Sequence, residues 1–159
     1  MIMLQAAYLA GVVTALAATT LSDGEILPPL MGYEQADGRS FQATFFVEAQ
    51  ARNALENNEH EATRAAIVVN GRVPLIPVVK EALLIDIVEY GPVRQRMQLV
   101  LPYRDAHSPC GFALHEIGVL DFDNIADADE APILDAIFAG IESQPAYAEL
   151  WDKYFENWD

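Results

Sequence analysis

The stretch that decides the fold is ALLIDIVEYGPVRQRMQLVL, residues 82–101. Ala82–Tyr90 is an apolar run interrupted only by Asp86 and Glu89, which reads as a strand. Gly91-Pro92 turns the chain, and Arg96–Leu101 supplies an antiparallel return. Asp86 and Glu89 lie three apart on that strand and face opposite sides, so they are not a simple carboxylate pair.

Upstream, Ala66–Val69 ends in Asn70-Gly71 and Arg72–Ile76 follows. Asn-Gly supplies the two positive φ angles of a type I′ turn, so a second hairpin is expected there. Pro74 and Pro77 would hold its outgoing strand to an edge or end it early. Further back, Phe41, Ala43, Phe45 and Val47 alternate with Gln42, Thr44, Phe46 and Glu48, a strand over Ser40–Glu48 with one apolar face. Asp37-Gly38 joins it to Glu25–Glu34, which Pro28 and Pro29 restrict to an edge strand or an extended lead-in. Ala49–Arg64 turns helical, with Ala51, Ala54 and Leu55 on one side and Asn57-Asn58 as a break. After a loop over Pro102–Cys110, Gly111–Leu120 is another strand. Five or six strands with short connections exclude repeated βαβ crossovers and point to α+β: a mostly antiparallel sheet with helices packed on one face.

Both ends read as helix. In residues 131–159, Pro132 and Pro145 stand where a first-turn proline is tolerated, and Asp129 and Glu130 favour the first helix's N-terminus. Ile133, Leu134, Ile137, Phe138 and Ile141 form one stripe. Tyr147, Leu150, Trp151, Tyr154, Phe155 and Trp158 form another, opposite Glu149, Asp152, Glu156 and Asp159. Met1–Leu21 carries no charge and is long enough to span a bilayer. It is rich in Ala, Thr and Gly, and no Lys or Arg precedes Arg39, so the flanks of an anchor or a signal peptide are missing. Leu4, Tyr8, Val12 and Leu16 recur every four residues. A packed helix is expected, in the core or against a second copy of the chain. The organisation expected is one domain over 1–159, with an apolar helix at 1–21, a sheet-rich core over 25–120 and two helices after it. A cytoplasmic homodimer follows from that reading; export is the alternative if 1–21 is a signal peptide.

Twenty-four acids against nine bases give a net charge of −15. Such a surface repels nucleic-acid phosphates and anionic lipid, so neither is an expected partner. Eleven of the acids and one base, Lys153, fall between Asp121 and Asp159. Asp121, Asp123, Asp127, Asp129 and Glu130 form either a solvated face or a docking surface for a basic protein. A calcium loop started at Asp121 fails, because its sixth position is Ala126 and its twelfth is Pro132.

Chemistry-bearing side chains gather in Tyr103–His115, which holds His107, Cys110 and His115. His-x2-Cys-x4-His is no common zinc spacing and lacks a fourth ligand, so no metal is assigned. A histidine-activated cysteine is the catalytic alternative. Glycine-rich phosphate loops are absent and no cofactor is expected. Arg94 and Arg96 share a face with Gln98, placed either to grip an anion or to line the solvent side. The leading expectation is a non-catalytic acidic binding protein, such as an inhibitor or immunity-type protein for a basic partner. The alternatives are a small enzyme using Tyr103–His115 and a structural or oligomerisation module.

Overall fold

The hairpin read from residues 82–101 is the centre of the sheet. In the computed structural model, which describes residues 3–75 and 78–157, the elements run α1 (Leu4–Ser22), β1 (Leu30–Glu34), β2 (Ser40–Thr44), α2 (Glu48–Glu56), β3 (Arg64–Leu75), β4 (Val78–Glu89), β5 (Gln95–Arg104), β6 (Ala113–Leu114), β7 (Gly118–Asp123), α3 (Glu130–Ile141) and α4 (Pro145–Tyr154). The sheet order is β2-β1-β3-β4-β5-β6, with β7 also on β5, and these strand pairs are antiparallel. The protein is therefore α+β. Its strands number seven among the described residues, because Gly111–Leu120 divides into β6 and β7.

Asn70-Gly71 does not turn the chain. β3 runs straight through it, with Asn70 opposite Leu83 and Gly71 opposite Ala82, and the ladder extends to Leu75 opposite Val78. Neither Asn70 nor Gly71 has the positive φ that a type I′ turn requires. Both have other uses. The Asn70 side-chain oxygen accepts a 2.6 Å hydrogen bond from the hydroxyl of Tyr103, and the Leu84 side chain lies 3.2 Å from where a Gly71 Cβ would stand. A full-length ladder also buries Ala66, Val68, Leu83, Ile85 and Ile87 together, which a hairpin of four-residue arms would not. Pro74 sits in the ladder beyond Val68, where β1 no longer pairs with β3; Ile76 and Pro77 lie outside the described residues.

The strand begun at Ser40 is shorter than its pattern. The Phe46 N–H donates to Gln50 Oε1 at 3.2 Å, Val47 is the extended N-cap, and α2 starts at Glu48. Phe46 and Val47 are left exposed, at 96% and 53%. Ala51, Ala54 and Leu55 of α2 cover Met31, Ala65, Ile67 and Val88 on one side of the sheet. Asn58, at φ 47°, ends the helical segment as its pair of asparagines suggested.

The principal core lies on the other face, where α1, α3 and α4 meet Leu30, Val68, Leu83, Ile85, Met97, Leu99 and Leu101. α1 is long and apolar enough to cross a membrane, and here it is packed between the sheet and α3. Its buried side is not the four-residue stripe. Leu4 and Tyr8 are 40% and 44% exposed, while Ala6, Ala7, Ala10, Gly11, Ala17 and Ala18 are buried. Small residues win the interior because two neighbours must approach the helix at once. A Cβ on Gly11 would fall on the Ile137 carbonyl oxygen, and one on Gly140 would fall on that of Tyr8 and lie 3.1 Å from the Gly11 Cα. Gly11→Ala should therefore lower stability by about 1–3 kcal/mol, read as a fall of about 2–4 °C per kcal/mol in a thermal melt. Gly91→Ala, whose Cβ would have nothing nearer than 3.7 Å, should stay within about 0.5 kcal/mol of the parent.

Candidate functional site

Tyr103 and Arg104 end β5, and the following turn is held by backbone. The Ser108 N–H donates to Asp105 O at 3.0 Å, and the His107 N–H to the Asp105 carboxylate at 3.1 Å. His107 Nε2 donates to the Gly24 carbonyl at 3.0 Å, tying this loop to the end of α1. His115 is buried, and its Nδ1 donates to the Glu156 carbonyl at 3.1 Å. Cys110 is an exposed free thiol. The three side chains thus serve different places: the end of α1, the segment after α4, and solvent. Among the described residues no cluster of three or more His, Cys, Asp or Glu is arranged to hold a metal. Arg104 is the organiser here. It donates to Gly111 O at 2.7 Å and to Glu156 at 2.8 Å, and that hydrogen bond holds the Glu156 carboxyl below its ordinary range.

The acidic run divides into two halves. Asp121 and Asp123, on β7, are both held by Arg96, at 2.7 and 3.1 Å. The Arg96 hydrogen bond draws the Asp121 carboxyl down, helped by the Phe122 N–H. Asn124, at φ 60°, then bends the chain into a 3-10 turn over Asp127–Asp129, and Glu130 opens α3. Asp127, Asp129 and Glu130 make no ion pair among the described residues; they load the positive end of α3.

The polar groove that sequence reading only half found lies on the α2 side of the sheet. Arg52, Asp86, Arg94, Arg96 and Gln98 line a space of about 390 Å³. Arg94, Arg96 and Gln98 were legible from their spacing; Arg52 and Asp86 were not, being 34 residues apart in the chain. The groove does not offer free guanidinium groups to an anion. Arg52 holds both Glu48, at 2.9 Å, and Asp86. Arg94 holds Glu56 at 3.2 Å and caps the end of α2 through the Leu55 and Glu56 carbonyls. Asp86 is 5% exposed, and its Oδ1 makes no hydrogen bond among the described residues. Tyr90 stands at the edge of this face, donating to Leu55 O, and burial pushes its phenol up to about 12.

One rule covers the remaining arginines. Arg39 pairs with Asp37, Arg64 with Glu34 and Glu89, Arg72 with Glu81, and Arg104 with Glu156. With Arg52, Arg94 and Arg96, each of the seven arginines in the chain is held by one of its own carboxylates. Compared with family models, curated proteins and solved structures, the chain matches none of them.

Proposed function

We propose that this is a non-catalytic binding protein, of inhibitor or immunity type, that takes a basic protein surface on the acids following β7. The supporting observation is the internal use of its arginines. With every guanidinium already committed, Asp127, Asp135, Glu142, Glu149 and Asp152 face solvent with no ion pair among the described residues. Residues 127–154, the 3-10 turn and the two terminal helices, carry seven acids and one base, a net −6 of the −15. A field of this kind steers a cationic partner and fixes its orientation more than it adds contact energy.

The test is capture of a partner from native lysate at low and at high salt, followed by association kinetics with the captured protein. Raising salt should weaken the complex by about tenfold or more, chiefly by slowing association. The triple substitution Asp135→Asn, Glu149→Gln and Asp152→Asn should act in the same direction and leave the fold intact, since none of the three is ion-paired among the described residues. Asp121→Asn should do less, because Arg96 already occupies that carboxylate. Binding indifferent to both salt and the triple substitution would refute the proposal.

A further inference from the structure

The edge of the sheet formed by β2 is open, and its chemistry differs from the rest of the surface. Among the described residues β2 pairs only with β1. The Gln35 N–H donates to Arg39 O and the Phe45 N–H to Pro29 O. By the alternation of an antiparallel ladder, residues 41 and 43 then bond inward to β1, while Ser40, Gln42 and Thr44 turn their backbone groups to the open side. Exposed edges are ordinarily blunted by lysine, proline or a bulge. Ser40-Phe41-Gln42-Ala43-Thr44 contains no charge and no proline, and its register with β1 is unbroken.

A groove of about 530 Å³ runs beside this edge, lined by Tyr8, Leu9, Val12, Glu34, Phe41 and Gln42 among others. The exposed stripe of α1 forms one of its walls. Glu34 pairs with Arg64, which it shares with Glu89, and of the acids just outside the strand Asp37 pairs with Arg39 and Glu48 with Arg52, which it shares with Asp86. Beyond the strand stand the exposed Phe46 and Val47. Ser40–Thr44 itself is uncharged on a protein of charge −15, with Glu59 beside Thr44, Phe45 and Phe46 at its end.

We propose that a second copy of the chain pairs with it, β2 against β2 about a two-fold axis through Gln42. That register is self-complementary, as a two-fold interface requires. Gln42 faces Gln42 and Ser40 faces Thr44, and the outward donors and acceptors of all three are met. Phe41 comes beside Ala43 of the other copy on the α2 side, and the two grooves meet on the α1 side. Electrostatics favours this edge for two chains of charge −15, because Ser40–Thr44 contributes no charge of its own. The pairing does not depend on the acidic docking surface, and salt separates the two: screening repulsion tightens the dimer, whereas it loosens a complex with a basic partner.

The experiment is light scattering of the full chain in reducing buffer across micromolar concentrations, at low and high salt. Twice the monomer mass is expected, with a dissociation constant that falls as salt rises. Gln42→Pro deletes an N–H that β1 does not use, so the monomer's ladder survives. Losing the hydrogen bonds between the two Gln42 residues should weaken the dimer by about tenfold or more, with the far-ultraviolet circular dichroism unchanged. In a Cys110→Ser background, Gln42→Cys should give a disulfide-linked dimer on oxidation, since paired Cα atoms lie about 5.5 Å apart. A monomer at every concentration and salt, or a dimer undiminished by Gln42→Pro and not crosslinked at position 42, overturns the proposal. So does a monomer that captures another protein through this edge.

Discussion

Arg64→Met should cost the fold about 3–5 kcal/mol, making it among the most damaging single substitutions away from the apolar core. Arg64 begins β3 with Glu34 opposite it on β1 and Glu89 opposite it on β4. Its Nε donates to Glu89 at 3.0 Å, and its Nη1 donates to Glu34. Arg64 and Glu89 are 8% and 7% exposed. Burial by itself would pull the guanidinium down. Hydrogen bonding and charge from Glu89, then from Glu34, outweigh it and hold Arg64 above its ordinary value. Without the arginine, two carboxylates face one another across a row of the sheet with nothing between them. The partner substitution identifies the cause. Arg64→Met with Glu89→Gln should recover more than half of the loss in urea denaturation, because one uncompensated charge is gone. Arg64→Lys should fall between parent and Arg64→Met, since an ammonium group cannot fork to two carboxylates. A single-variant loss below about 1 kcal/mol would mean that water or movement of Glu34 already compensates the row.

What the sequence disclosed and what it concealed divide along the range of the interactions. The β4–β5 pairing, the turn at Asp37-Gly38, the break at Asn57-Asn58 and the proline-led starts of α3 and α4 rest on neighbouring residues, and each is present. Asn70-Gly71 shows a local signal losing to a distant one. Leu83, Tyr103 and Leu84 give those two residues better use in a long strand than in a turn. α1 shows periodicity misleading about direction. Of its large residues every fourth position, Leu4 and Tyr8 are exposed and Val12 and Leu16 half-buried, because α3 and the sheet close in on the other sides, where Ala and Gly predominate beside Val13, Thr14 and Leu21. Of the candidate site residues, the acids after β7 were plain in the composition. Their division by Arg96 was not, since Arg96 and Asp121 are 25 residues apart. The same holds for Arg52 with Asp86 and for Arg64 with Glu34 and Glu89. His115 gives no sequence sign that its ring is committed to a backbone carbonyl 41 residues later.

Truncation after Ser143 should abolish cooperative folding, and α4 is where that expectation can fail most informatively. Trp151 is buried, edge-on to Phe138 at 6.1 Å. Tyr154 meets Phe112 edge-on at 5.2 Å, and Tyr147 and Leu150 pack against the principal core. Phe155 leaves the helical pattern. It forms a parallel bridge with Leu114, and the Glu156 N–H donates to Leu114 O at 2.8 Å, so the tail closes the short strand β6. Trp158 lies outside the described residues. Large apolar side chains at about 1.5–3 kcal/mol each make this segment comparable to a whole domain's stability of about 5–15 kcal/mol. Trp151→Ala by itself should cost about 3–5 kcal/mol. Glu149→Gln removes a charge that has no ion pair among the described residues and should leave the melting temperature where it is. Glu156→Gln gives up the Arg104 pair and should lower it measurably. The competing idea is a detachable recognition helix that offers Trp151 to a partner's groove. In a Trp158→Phe background, Trp151 should emit as a buried indole. If its emission is instead that of an indole in water, and the truncated chain melts cooperatively near the parent temperature, α4 is not part of the fold. The binding surface then moves from the acids of its outer face to the aromatics of its inner one.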